Sequence, residues 1–141
     1  MTCEVEVRKI AEQPLAVVRG LTTMATLPVR IRALFDEFYA GFKGKGGLNV
    51  VLYPGSCAGE FEIACGVQVE EGGNAWTPGG TVAGTVYWGP YAQMKPAHEA
   101  IHQWVREKGR QLAGPSWEVY GHWSDDPAKL RTDIYYLLAQ G

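Results

Sequence analysis

Apolar residues recur along this chain with two different periods. Between Val29 and Gly44 they are spaced three or four positions apart, which predicts an amphipathic helix that buries one face. Thr26 is placed to cap this helix, and Pro28 suits its first turn. A similar pattern predicts a second helix over residues 95–109.

The other apolar segments are rich in β-branched and aromatic residues, which predicts strands. They are residues 3–10, 14–20, 49–55, 60–69, 81–91, 116–123 and 131–139. The first two are separated by residues 11–13, as two short strands joined by a turn would be. The glycine-rich segment 70–80 predicts an irregular loop.

The order strand, helix, strand, strand occurs twice. A constant offset superposes the apolar face of the first helix on that of the second, so that Phe38 falls on Trp104. The sequence therefore predicts an α+β fold in which tandem βαββ repeats, about 1–70 and 80–141, form one antiparallel sheet. We expect a single domain, with both helices on one face of the sheet and a ligand pocket on the other.

Composition limits the class of protein. The chain has 141 residues, 46% of them apolar, which suffices for one core. Thirteen basic and fifteen acidic residues give a formal charge of -2 without a basic block, so we expect no direct nucleic-acid binding. The sequence has no apolar run near the ~20 residues of a membrane span and no signal peptide. We therefore expect a cytoplasmic protein without membrane contact, its three cysteines reduced.

The segment HEAIH at residues 98–102 fits the His-Glu-x-x-His pattern of zinc proteases. A helical projection places His98, Glu99 and His102 away from the apolar face, so a metal held there would face water. Strand alternation does not direct Glu118 towards these histidines as a third ligand, and the chain has no second lobe to form a cleft. We expect a solvated helix face, and no metal or other cofactor.

Two acids occupy equivalent places in the last strands of the two repeats, Glu62 and Asp133. Strand alternation puts Glu62 on the face opposite the helices, and we assign Asp133, Tyr53, Tyr87 and Tyr120 to that same face. Large exposed aromatic patches mark binding sites, and carboxylates among aromatic rings suit flat cations. This face is therefore the candidate binding site.

The second half of the chain, residues 79–138, closely resembles the GyrI-like small-molecule-binding domains, also known as effector-binding domains of AraC-type and multidrug-sensing transcription regulators. The features that carry the resemblance are Gly-Pro-Tyr at 89–91, Glu-Val-Tyr at 118–120 and Arg-Thr-acid-Ile at 131–134, together with Trp104 and Gly109 at the end of the second helix. The first half fits more loosely.

The resemblance implies a pair of βαββ modules. It also implies an aromatic pocket on the sheet face away from the helices, where an acidic residue helps to bind lipophilic cations. Asp133 stands where the family usually has a longer glutamate. Regulators of this type usually carry a DNA-binding domain ahead of the module. Because the first ten or so residues leave no room for one, we expect a stand-alone module.

Our first hypothesis is a free-standing binder of small, flat and often cationic compounds, which it sequesters or reports to a partner. The predicted ligand-binding residues are stacking aromatics and two carboxylates: Tyr53, Trp76, Tyr87, Tyr120, Glu62 and Asp133. Homodimer formation is left open.

Three alternatives follow from the resemblance. One is a hydrolase that opens cyclopropane-bearing toxins, in which Glu62 and Asp133 would transfer protons and act on water. Another is an inhibitor module that binds a protein partner. The third is a haem-binding relative, for which His122 would be the sole candidate ligand.

Overall fold

The computed structural model describes residues 4–140, so Cys3 and the start of the first predicted strand lie outside the described residues. The described chain forms eight strands and two α-helices. In chain order they are β1 (Glu6–Ile10), β2 (Gln13–Thr22), α1 (Leu27–Gly41), β3 (Asn49–Tyr53), β4 (Phe61–Gln68), β5 (Ala75–Thr77), β6 (Gly80–Trp88), α2 (Lys95–Glu107), β7 (Leu112–Tyr120) and β8 (Arg131–Leu138).

All eight strands belong to one antiparallel sheet with the order β1-β6-β8-β7-β3-β4-β2-β5. Two βαββ units are visible in this order, β2-α1-β3-β4 and β6-α2-β7-β8, and in each unit the last strand lies between the other two. The units join where β3 pairs with β7. The predicted α+β fold with tandem repeats is confirmed.

Both helices lie on the same face of the sheet, called here the outer face. Glu118 of β7 pairs with Val51 of β3 on one side and Ile134 of β8 on the other, so all three side chains share this face. Val51 packs in a cluster with Leu34 of α1, and Ile134 packs in a cluster with Ile101 of α2. The helices therefore flank the central strands β7 and β3.

Part of the opposite, inner face is covered by an apolar core. Leu15 of β2 and Val82 of β6 belong to the same buried cluster although four strands separate β2 from β6. In a flat sheet these strands would lie about 24 Å apart, so the sheet must curl to bring them together. The buried residues of this cluster are Leu15, Val17, Val50, Leu52, Ala64, Ala75, Val82 and Trp117.

The first two segments form two strands joined by a short turn, as expected, and the curl explains which strands they pair with; the expectation for segment 70–80 was wrong. β1 does not pair with β2; it pairs with β6 at one end of the sheet, while β2 pairs with β4 near the other. The short connection between Ile10 and Gln13 spans at most about 11 Å, so the two ends of the sheet approach each other. The segment 70–80, expected to be an irregular loop, contributes β5, which pairs with β2.

The helices begin and end close to their predicted bounds. Pro28 lies in the first turn of α1, as expected, but the Thr26 side chain does not cap the helix. Its hydroxyl contacts the hydroxyls of Thr22 and Thr23 instead. Within residues 4–140, neither helix combines the length and apolar character that crossing a bilayer requires.

Gly66 tests the tight pairing of β4 with β2. A Cβ atom at Gly66 would lie 1.8 Å from the carbonyl oxygen of Ala16, so replacement by alanine would push the two strands apart. We expect Gly66→Ala to lower the free energy of unfolding by at least about 2 kcal/mol in urea titration. Gly55→Ala is the control, because a Cβ there meets nothing within 4 Å. Equal stability of the two variants would contradict this register.

Candidate functional site

A single carboxylate lies at the centre of the outer face. Glu118 of β7 is only 4% exposed, and it sits where the two βαββ units join, between the strands that carry α1 and those that carry α2. Burying an ionised carboxylate is costly unless hydrogen-bond donors or a positive charge compensate it. The burial of Glu118 therefore depends on the groups that surround its carboxylate.

Four side chains surround Glu118 and form what we call the Glu118 cluster. Tyr120 and Tyr53 donate to Oε1, at 2.7 and 3.3 Å respectively. Nε2 of His98, from α2, lies 2.7 Å from Oε2, and Nδ1 of His98 lies 2.7 Å from the Tyr136 hydroxyl. The cluster thus draws on α2, β3, β7 and β8.

The direction of these hydrogen bonds follows from the carboxylate. An ionised Glu118 can only accept, so both tyrosine hydroxyls and Nε2 of His98 donate to it. In a neutral imidazole, Nδ1 then accepts a proton from Tyr136; in a protonated one it donates to the Tyr136 oxygen. In either state, both nitrogens of the His98 ring take part in a hydrogen bond.

The tyrosines remain protonated donors at neutral pH. Burial raises the pKa of Tyr53, Tyr120 and Tyr136, and the negative charge of Glu118 raises each of them further. Ionising any of these phenols would place a second negative charge beside the carboxylate. The cluster therefore carries one acid and a set of neutral hydroxyl donors.

Aromatic rings and thiols complete the surroundings. The ring of Tyr91 meets that of Tyr120 edge to face at 5.2 Å, and the ring of His102 meets that of Tyr136 at 4.9 Å. Cys57 packs against the cluster of buried residues that contains Cys65. Burial raises the pKa of both thiols, to about 12 for Cys65, with a further contribution from Glu118, so neither is a thiolate at neutral pH.

The structure brings two of the six predicted site residues into the cluster, Tyr53 and Tyr120. Tyr87 lies on the same outer face, buried, with its hydroxyl donating to the backbone oxygen of Pro90 at 2.7 Å. Trp76 is not part of this group. It lies on β5, the edge strand beyond β2, and is 53% exposed.

Glu62 and Asp133 share the inner face, as expected, but the tyrosines do not lie there with them. Glu62 pairs with Arg19 at 3.4 Å, and Asp133 pairs with Arg131 at 2.8 Å. Their strands are separated by β7 and β3, and the register places Gly66 of β4 level with Asp133, four residues away from Glu62, so the two acids are not neighbours on this face. The expectation of one face combining these acids with the tyrosines was wrong.

The geometry expected for HEAIH was also wrong in part. α2 buries Ala97 and Ile101 against the sheet, and His98, beside this stripe, reaches sideways to Glu118 rather than into water. Glu99 does face solvent, with Lys95 3.9 Å away. No group of three His, Cys, Asp or Glu residues within 4–140 is arranged to hold a metal ion.

Glu118 is the functional residue that sequence reasoning missed. It carries the same signal as the two acids that were chosen, a carboxylate between apolar neighbours in a strand, here Trp117 and Val119. The pattern alone does not tell which face of β7 the helices cover. That depends on the pairing of β7 with β3 and β8.

Glu118 is almost entirely screened from solvent, since the residue is only 4% exposed. Two surface depressions, of about 260 and 820 Å³, lie elsewhere and neither is lined by Glu118. The smaller borders β1 and β6 and includes Glu6, Arg8 and Tyr135; the larger follows the glycine-rich turn at 44–47. A molecule that reaches Glu118 must therefore displace side chains, and the partly exposed His98 and Tyr91 border the way in.

No protein-family model and no curated protein sequence matches this chain. Solved structures match its fold. The C-terminal domain of EcmrR is 18% identical and has a TM-score of 0.77, with both chains covered completely. In the EcmrR–DNA complex the match has 18% identity and a TM-score of 0.75, covering 99% of this chain and 58% of that one.

Two further matches have different descriptions. SAV2435 bound to tetraphenylphosphonium is 12% identical with a TM-score of 0.63, covering 96% of this chain and 94% of that one. A hydrolase from Listeria innocua is 10% identical with a TM-score of 0.62, covering 96% and 92%. At these identities the likeness concerns the fold, which is consistent with the GyrI-like fold expected from the motifs.

The raised pKa of the Cys65 thiol gives stability a defined dependence on pH. The unfolded thiol titrates near its ordinary pKa of 9.0, whereas the folded one keeps its proton up to about 12. Between these values the unfolded state binds fewer protons, so the free energy of unfolding falls as pH rises. We expect Cys65→Ala to make this decline shallower, by up to about 1.4 kcal/mol per pH unit, in urea titrations from pH 8.5 to 11. An unchanged slope would contradict a buried, protonated thiol.

Proposed function

We propose that the Glu118 cluster binds a small organic cation with aromatic surface, and that this cation replaces His98 against the Glu118 carboxylate. The observation that carries the proposal is a buried acid held by two tyrosine hydroxyls and one partly exposed imidazole, without a permanently charged partner among the described residues. Within residues 4–140, His98 is the one basic side chain in ion-pair contact with Glu118. No arginine or lysine of the described chain fixes the charge in place.

A cation suits this site for two physical reasons. A carboxylate shielded from water attracts a positive charge more strongly than an exposed one does. The rings of Tyr53, Tyr120 and Tyr136 already lie around the acid, and aromatic faces attract cations while offering apolar contact. Flat or propeller-shaped aromatic cations satisfy both requirements.

A way in exists without any change of fold. The His98 side chain is 23% exposed, against 5% for Glu118, so it stands between the acid and solvent. Tyr91 is 39% exposed and covers Tyr120 from the side. Rotation of His98 and Tyr91 would uncover the carboxylate while the strands that hold it stay in place. The fold shared with SAV2435, which is bound to tetraphenylphosphonium, supports a ligand of this kind.

Glu118→Gln tests the role of the carboxylate. We expect the affinity for tetraphenylphosphonium, measured by calorimetry, to fall about 30-fold or more, because a desolvated charge pair is lost. Tetraphenylborate has nearly the same shape and the opposite charge, so the wild type should prefer the phosphonium and the variant should lose most of that preference.

Glu62→Gln is the matched control. Glu62 is also a strand glutamate in contact with a basic residue, Arg19, but it lies on the inner face of the sheet. This variant should bind tetraphenylphosphonium like the wild type. A loss that is equal in the two variants would contradict the proposal, and so would phosphonium binding that Glu118→Gln leaves intact.

His98→Ala tests whether the imidazole competes with the ligand. Removing a hydrogen-bond partner of a buried charge leaves Glu118 poorly compensated in the free protein, so the affinity for tetraphenylphosphonium should rise at least about tenfold. Gln103→Ala, on the exposed side of α2 where Gln103 contacts Glu107, should change it little. Weaker binding by His98→Ala would show that the imidazole holds the ligand rather than making way for it.

A hydrolase is the second candidate, and one observation favours it. An imidazole hydrogen-bonded to a carboxylate, as His98 is to Glu118, is an arrangement that can transfer protons to and from a substrate. The acid pair expected from the sequence, Glu62 and Asp133, is not at this site. Incubation with a cyclopropane-bearing alkylating compound, followed by mass spectrometry, tests it. A ring-opened product that disappears in Glu118→Gln would support catalysis. Recovery of the intact compound would reject the hydrolase and leave ligand binding as the remaining proposal.

A further inference from the structure

One hydroxyl group beside the Glu118 cluster has no partner. Thr132 of β8 is fully buried, and among the buried side-chain nitrogen and oxygen atoms of residues 4–140 its Oγ1 is the one without a hydrogen bond. The great majority of buried polar side chains in folded proteins are paired. An exception calls for a physical explanation.

Thr132 lies next to the site in the sheet. It pairs with Tyr120 of β7 on one side and with Tyr87 of β6 on the other, and it shares the outer face with both. Glu118 pairs with Ile134, two positions along β8, so Thr132 is its diagonal neighbour. Diagonal neighbours in an antiparallel pair are roughly 7–8 Å apart, within the length of a small aromatic molecule.

The neighbouring hydroxyls have other partners in this structure. Tyr120 donates to Glu118, and Tyr87 donates to the backbone oxygen of Pro90. The hydroxyls of both neighbouring tyrosines thus have partners other than Thr132. Among the described residues, the Thr132 hydroxyl is the buried side-chain group that still lacks a hydrogen bond.

The strand itself does not require this hydroxyl. Valine has the same β-branched shape as threonine and suits a strand equally well, but it buries no polar group. An unpaired buried hydroxyl makes the folded state less stable than the isosteric valine would. A partner that arrives with a ligand would recover the lost hydrogen bond.

We propose that Thr132 is a specificity-determining residue of the Glu118 site, whose hydroxyl hydrogen-bonds a polar atom of the ligand. This inference rests on the proposed function and deepens it. The preferred ligand is an aromatic cation that carries an oxygen or nitrogen atom within about 8 Å of its charge. A threonine hydroxyl both donates and accepts, so ethers, carbonyls and hydroxyls all qualify.

A pair of ligands of equal shape tests this specificity. (4-Methoxyphenyl)triphenylphosphonium carries an ether oxygen, and (4-ethylphenyl)triphenylphosphonium has a methylene group in the same place. We expect the wild type to prefer the methoxy compound about 3- to 10-fold in calorimetry, the gain typical of one hydrogen bond. Thr132→Val should bind the two compounds equally.

Thermal unfolding without ligand gives a second readout. Thr132→Val should raise the melting temperature, because it removes a polar group that has no partner. Thr85→Val is the matched control: Thr85 is also buried, but its hydroxyl donates to the backbone oxygen of Glu4 at 2.6 Å. That variant should melt at a lower temperature and keep the wild-type preference for the methoxy compound.

The inference is overturned if the wild type shows no preference, if Thr132→Val keeps it, or if Thr132→Val melts as low as Thr85→Val. The last result would mean that the hydroxyl already has a partner in the free protein. Failure of the proposed function looks different, because tetraphenylphosphonium binding would then be absent or insensitive to Glu118→Gln. Binding that depends on Glu118 without a methoxy preference would reject the role of Thr132 alone.

Discussion

The structure depends on the burial of one negative charge, that of Glu118, among groups that are neutral or only weakly basic. Tyr53 and Tyr120 donate hydroxyl protons to it, and His98 adds an imidazole that is itself held by Tyr136. Hydrogen bonds make such burial tolerable, but they do not neutralise the charge. In the free protein, Glu118 is thus a buried carboxylate without an arginine or lysine of the described residues beside it.

Duplication of the βαββ unit creates this position. Because β3 and β7 pair at the junction, the outer face between α1 and α2 is lined by strands from both units. On the inner face, the curl of the sheet brings distant strands together around an apolar core that contains Trp117. Buried apolar clusters lie on both faces of the sheet, and the polar Glu118 cluster sits on the outer face between the apolar cluster under α1 and the one under α2.

Sequence patterns predict a large part of this architecture and little of the site. The helices and the repeated order of strands were predicted correctly, because each depends on the spacing of residues that are close together in the sequence. The face of Tyr53 on β3 was assigned wrongly, since Val50, Val51 and Leu52 are all apolar and buried and show no alternation. The pairing of β1 and β5 depends on the curl of the whole sheet, and the reach of His98 depends on where α2 lies over it.

The central claim is that a cation takes the place of His98 beside Glu118, and a crystal structure of the complex with tetraphenylphosphonium tests it most directly. The account predicts the phosphonium on the outer face, with its rings against Tyr53 and Tyr120 and with the imidazole of His98 rotated away from the carboxylate. A phosphonium bound on the inner face beside Glu62 or Asp133, with the contact between His98 and Glu118 intact, would contradict it.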